Sequence, residues 1–351
     1  MASGYKYFGR VNWYEDGAEF LVANQRPDGS WGTDVIPDTC FALLFLVHGR
    51  APLVFNKLEY DREPRPPATE PSTQPTTQPR RIVGTGNWNQ RPRDVANFVR
   101  WLGRMNERLL NWQIVNLHID VDDLHDAPVL YIAGNQPLNF SDEQIAKLRQ
   151  YVEQGGLILG NADCGSKEFA DSFKALGAKL FARYEFRELP ADHVIYTDQQ
   201  FRRQAWKNPP VVLGLSNGSR ELMLLIPEAD PARAWQMQRY GGQEELHDVA
   251  ANVFLYAIDR RDLRFKGQTY IVRRNEGVGG HVVKVARLEY AGNWDPEPGG
   301  WRRLAAILHN QWDVDIEVET VKLGEGKLGK EHRLAHLTGT ARFVLNHCCP
   351  R

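Results

Sequence analysis

Through the middle of the chain, short apolar runs alternate with stretches whose apolar residues recur at helical spacing. Residues 82–86, 113–117, 128–134 and 157–162 read as strands, and helical periods over 92–104, 141–154 and from about Ser166 lie between and after them. Alternation of this kind predicts a parallel sheet covered by helices on both faces. One helix is especially well punctuated. Ser141-Asp-Glu-Gln144 forms a capping box, Ile145, Leu148, Tyr151 and Val152 make its buried stripe, and Gly155-Gly156 ends it where positive φ is required. Strands over 211–216 and 221–226, a helix over 244–259 carrying Val249, Val253, Phe254 and Ala257, and strands near 269–273 and 282–288 complete the pattern.

Before this body the texture differs. Ala18, Leu21 and Val22 fall at helical spacing, a polar turn follows, and an apolar run over 40–47 reads as a second helix that Asp38 or Thr39 can cap. Residues 62–80 are rich in proline and have almost nothing to bury, so they read as an extended, solvated linker. The turn between the two helices, Gln25-Arg-Pro-Asp-Gly29-Ser-Trp31, fits Gln-x-x-x-Gly-x-Trp. The stretch resembles one repeat of the α/α-toroid of prenyltransferases and squalene cyclases, which implies bracing roles for Gln25 and Trp31.

The chain also repeats itself. Gly86-Asn-Trp-Asn89 returns as Gly292-Asn-Trp-Asp295, an offset of 206 residues (292 − 86), at which Phe98, Leu102, Val115 and Leu117 meet Leu304, Leu308, Val321 and Leu323. Gly134 matches Gly339 one residue short of that offset, and Ser141 then stands opposite Asn346, after which no helix pattern follows. The expectation is a second α/β copy cut short, in a chain that lacks parts of a longer parent. The domain layout expected is a partial toroid-type repeat over 1–60, a linker over 61–80, a flavodoxin-like unit over 81–260, and connecting strands with the truncated copy over 261–351.

The first copy carries Gly86-Asn-Trp-Asn, Leu124-His-Asp-Ala-Pro-Val-Leu-Tyr-Ile-Ala-Gly134, Leu138-Asn-Phe-Ser141, Tyr151-Val-Glu-Gln-Gly-Gly-Leu-Ile-Leu159, Leu189-Pro-Ala-Asp-His-Val-Ile-Tyr196 and His247-Asp-Val-Ala-Ala-Asn-Val-Phe-Leu-Tyr-Ala257. As a set these resemble the bacterial family known as domain of unknown function 4159, of the class I glutamine amidotransferase-like superfamily. The resemblance implies a flavodoxin-like sheet and no particular reaction.

Composition narrows the partners. With 43 Lys+Arg against 44 Asp+Glu the formal net charge is -1, so there is no overall basic field to gather nucleic acid or anionic lipid. No apolar run reaches the roughly 20 residues of a membrane helix. Four cysteines, at 40, 164, 348 and 349, have neither metal-knuckle nor disulfide-framework spacing. The composition leaves the cofactor unknown.

Ligands of open α/β sheets bind beyond the carboxyl ends of the strands. Those ends supply Asn87 and Trp88, Asn135, and Asn161, Asp163 and Cys164. Cys164 sits at a strand-to-helix turn, where amidotransferase relatives place a nucleophile. Its surroundings argue against that role: Ala162 and Ser166 stand where the elbow wants glycines, and no His-x-Glu follows, since Ile195 lies two beyond His193 and Val249 two beyond His247. Asp163 serves either as a helix cap or as a ligand contact. His118-Ile-Asp-Val-Asp-Asp-Leu-His-Asp126 brings metal to mind, but its acids also suit the first turn of a short helix. Gly277-Val-Gly-Gly280 lacks the residues of a phosphate loop and reads as a turn. The favoured function is a non-catalytic binding or scaffold module with an unknown protein or small-molecule ligand. A thiol hydrolase using Cys164, or a carbohydrate- or cofactor-binding site around Asn87, Trp88, Asn135 and Asp163, are the alternatives.

Overall fold

Residues 4–60, 86–259, 263–268 and 270–340 are described in the computed structural model. A two-residue ladder, β1 (Tyr7–Phe8) with β2 (Val11–Asn12), leads into helices α1 (Trp13–Ala23) and α2 (Val35–Gly49). The helices meet through aromatic rings, with Tyr14 stacked on Phe45 at 5.4 Å. Trp31 is buried in the turn and its Nε1 donates to Leu21 O, while Gln25 Nε2 donates to Gly29 O. Helix α2 starts before the expected caps, because Pro37 is tolerated in a first turn whose amides have no intrahelical acceptor anyway. Asp38 instead accepts from Asp34 N, and Thr39 Oγ1 from Trp31 N. Phe20, Val22, Ile36, Phe41 and Leu44 remain exposed on this helical pair.

The α/β unit comprises β3 (Leu53–Glu59), α3 (Asp94–Met105), β4 (Asn111–Asn116), α4 (Val121–Leu124), β5 (Val129–Gly134), α5 (Asp142–Glu153), β6 (Leu157–Ala162), α6 (Lys167–Leu180), β7 (Phe186–Glu188), α7 (Val194–Thr197), β8 (Leu213–Ser216), β9 (Glu221–Ile226), α8 (Pro231–Gln236) and α9 (Glu245–Ala257). Among the described residues these strands form a seven-stranded sheet in the order β4-β3-β5-β6-β9-β8-β7. The first five run parallel, β8 runs antiparallel to β9, and β7, antiparallel to β8, points the same way as the first five. Phe98, Trp235, Val249 and Phe254 pack one face, and Leu148, Val152, Phe169 and Phe173 the other. The capping box at Ser141 is present with both of its hydrogen bonds, and Gly155 takes φ 100° at the helix end.

Strand β3 corrects the expected boundary at residue 60. Leu53–Glu59, assigned from sequence to the helical unit, lies inside the sheet between β4 and β5 and is buried at every position. Its Asn, Lys and Glu hide an apolar pattern, and burial is possible because they find partners: Asn56 Nδ2 donates to Leu124 O at 2.7 Å, and Lys57 pairs with Asp94. The linker over 61–80 and the strand expected over 82–85 lie outside the described residues. Residues 270–273, expected to be a strand, are irregular.

The segment read from sequence as a second copy supplies β10 (His281–Glu289), α10 (Pro298–Trp312), β11 (Val314–Lys322) and β12 (His332–His336). Its three strands are parallel in the order β11-β10-β12, the arrangement of β4-β3-β5. The registers agree as well. Lys57 stands beside Ile114 and Tyr131, and Arg287 beside Thr320 and His336. Leu58-Glu-Tyr60 thus corresponds to Leu288-Glu-Tyr290, so residues 61–85 occupy the place that Ala291 alone fills in the second copy. The proline-rich stretch interrupts the first unit between its central strand and Gly86. Residues 341–351, where the second copy was expected to stop, lie outside the described residues.

Candidate functional site

After β3 the chain moves outward to β4 and then crosses back over β3 to β5, so the strand order reverses between β3 and β5. A crevice at such a reversal is where open α/β sheets hold ligands. The turn following Gly86 and the turn following β5 meet over it. Asn87 Nδ2 donates to Asn135 Oδ1 at 2.7 Å, and Asn87 Oδ1 accepts from the amides of Asn135 and Gln136. Gln90 Nε2 reaches the same Asn135 oxygen. Tyr60 closes the floor by donating to Ala133 O at 2.8 Å. Gly134 is required there, since a Cβ would run into both the Tyr60 hydroxyl and Asn87 Oδ1. Trp88 is buried beneath the turn with the Lys57 ammonium 5.7 Å from its ring centroid. Of the residues expected at the site, Asn87 and Asn135 are therefore in direct contact, and Trp88 is a wall.

The carboxyl end of β6 contributes Asn161, Asp163 and Cys164. Cys164 adopts φ 57°, ψ 20°, a left-handed conformation uncommon for a side-chain-bearing residue. It is exposed, its Sγ lies 3.1 Å from Arg91 Nη2, and its backbone N–H donates to Asp230 Oδ2. Asp230 also caps α8 and pairs with Arg91 at 3.2 Å. Ser166, rather than Asp163, caps α6. Asp163 accepts from Asn161 Nδ2 and is buried; burial, then the neighbouring Asp230 and Asp94 carboxylates, push it up to about 7. Beneath lies the fully buried Lys57–Asp94 pair at 2.6 Å, where burial holds Asp94 above the usual carboxylate range against the pull of Lys57. Asp94 Oδ2, Asp163 Oδ2 and the Tyr131 hydroxyl have no hydrogen-bond partner among the described residues. Lys57, Arg91, Asp94, Tyr131 and Asp230 escaped the sequence reading. Lys57 sits in the unrecognised strand, and the others gave no local signal, although Asp230-Pro231 is a cap followed by Pro at the first helical position.

The remaining candidates fall elsewhere. His193 pairs with Glu221 at 3.3 Å, an acid–histidine couple, but Glu221 begins β9 at the amino end of the sheet while Cys164 follows the carboxyl end of β6. His247 lies between Trp101 and Tyr240. In the acidic stretch, Asp122 and Asp123 open α4 as expected, and the cations of Lys6 and Arg273 engage Asp122, Asp123 and Asp126. Among the described residues no helix is long and apolar enough to cross a membrane.

A family model described as a domain of unknown function, DUF4159, matches residues 80–258. No curated protein matches the chain.

Proposed function

The chain belongs to the DUF4159 family, and from that premise and the crevice we propose that the α/β unit is a non-catalytic binding module of the flavodoxin-like, glutamine amidotransferase-like kind. Its ligand is a small polar molecule, a sugar or a cofactor fragment, seated over the junction of β3 and β5. The observation that supports this reading is the exposed amide cluster of Asn87, Gln90 and Asn135 beside Arg91, above buried polar atoms with unused hydrogen-bonding capacity. Helices α1 and α2 fit the role of a toroid-type repeat attached to that module. A panel of sugars and nucleotides screened by thermal shift on the full chain tests the reading. A saturable shift that Asn135→Ala weakens by about tenfold or more is expected, in line with losing a ligand hydrogen bond in a desolvated site. A flat response across the panel overturns it.

The left-handed Cys164 at a strand-to-helix turn, with Arg91 on its sulfur, favours a second reading as a thiol hydrolase. Against it, the acid–histidine couple His193–Glu221 stands at the opposite end of the sheet from Cys164. If Cys164→Ser retains every hydrolytic activity detected in the parent chain, this reading is finished.

A further inference from the structure

We propose that the chain carries a second binding site, independent of the crevice, for a small anion bearing two or more phosphate or sulfate groups, in the basic groove beside α3. The groove has a volume of about 530 Å3, within the range of small-molecule sites, and runs along α3 to the start of the edge strand β4. Arg93, Arg100, Arg104 and Arg108 line it together with His48 and Lys266. A single carboxylate, Glu107, accompanies them.

Lys6, Lys57, Arg187 and Arg220 each face a carboxylate. Among the described residues the four groove arginines and Lys266 have no such ion pair. Arg100 and Arg104 are four apart on one helix, a like-charge spacing that costs stability unless an anion relieves it. Burial pushes the Lys266 ammonium down to about 8 against the pull of the Asp126 carboxylate, and burial followed by the Lys266 charge lowers His48. Trp13 and Trp112 form less polar walls, with Lys266 Nζ 4.8 Å from the Trp13 ring centroid. Guanidinium forks match phosphate and sulfate oxygens in pairs, and four of them around one groove of this size favour a compact polyanion over a long polymer.

Calorimetric titration of the full chain with inorganic tripolyphosphate provides the test. Saturable binding that weakens steeply between about 50 and about 200 mM salt is expected. The exposed double variant Arg100→Ala/Arg104→Ala should melt no lower than the parent and lose about tenfold or more in affinity, as two charge-assisted contacts disappear. Lys266→Met should lose affinity in the same direction. Absence of saturable binding, or undiminished binding by the double variant, overturns the proposal. So does an oligonucleotide that saturates the protein where tripolyphosphate does not. Asn135→Ala separates this site from the crevice: it should leave tripolyphosphate binding unchanged, and a loss there would move the anion into the crevice and end the proposal.

Discussion

The two copies of the α/β half-unit build the same crevice and leave it in opposite states. In each, a basic residue of the central strand lies over the tryptophan of the Gly-Asn-Trp motif, Lys57 over Trp88 at 5.7 Å and Arg287 over Trp294 at 5.6 Å. In each, that cation also reaches the residue after the tryptophan, Asn89 or Asp295. A glycine after the returning strand, Gly134 or Gly339, lies against the tyrosine that ends the central strand. The difference is in what covers the asparagine. Asn135 is exposed and Asn87 bonds only within the first unit, whereas Asn293 binds Thr340 and is also held by Arg183, Tyr184 and the Asn217 carbonyl of the first unit. The second crevice has become an interface between units, and the first remains accessible. Duplicated geometry therefore points to structure in the motif itself, and the free surface around the first copy is where a ligand has room.

The largest effect expected of a single substitution is at Lys57. Removing one partner of a fully buried pair leaves Asp94 uncompensated, so Lys57→Met should cost about 3–5 kcal/mol in urea unfolding. Arg287→Met should cost about half as much or less, because the Asp295 side chain is 23% exposed and water takes over part of its solvation. Equal losses would break the claim that Lys57–Asp94 is the more deeply desolvated of the two ion pairs.

Next in size is a pH-dependent effect at Asp163. Its folded pKa of about 7 stands above the ordinary 3.8, so the folded state holds a proton that the unfolded chain releases, and stability falls as pH rises from about 4 to about 7. Asp163→Asn removes that dependence while keeping an oxygen for Asn161 Nδ2. The variant should match the parent near pH 4 and exceed it by about 2–4 kcal/mol above pH 7. Asp248, pushed up mainly by burial to about 6, and His247, pushed down by burial to about 4, contribute equally to both proteins and cancel in the difference. A difference that is flat with pH would show that Asp163 ionises like an exposed acid and that the carboxylates do not crowd one another.

The legible part of this molecule was the part whose burial follows period and punctuation. Strands Leu157–Ala162 and Glu221–Ile226 and the capped helix after Ser141 could be read because their apolar residues and caps are local signals. Strand β3 could not, since Asn56 and Lys57 look like surface residues until Leu124 and Asp94, remote in sequence, supply partners. The internal repeat held the missing information: Leu58-Glu-Tyr60 recurs as Leu288-Glu-Tyr290, but the 25 residues over 61–85 against one in the second copy shifted the offset and concealed the match. Candidates at strand ends were found by topology alone, whereas Arg91 and Asp230 enter the site through a loop and a helix cap that no periodicity marks.

The smallest expected effect discriminates the two crevices most directly. Asn293 joins both units through four hydrogen bonds whose partners, Thr340, Asn217, Arg183 and Tyr184, come from either side of the interface. Asn293→Ala should cost about 1–2 kcal/mol, the loss left after water replaces part of those bonds, and it should let the second unit open separately. Hydrogen exchange of the β10 and β11 amides should quicken while that of β5 and β6 stays unchanged. Asn87→Ala removes the bonds to the Asn135 and Gln136 amides at comparable cost, yet it touches no residue of the second unit, so exchange in β10 should not respond. If Asn87→Ala loosened β10, or Asn293→Ala left it protected, the two asparagines would be doing the same local work, and the contrast between an open crevice and a docked one would fail.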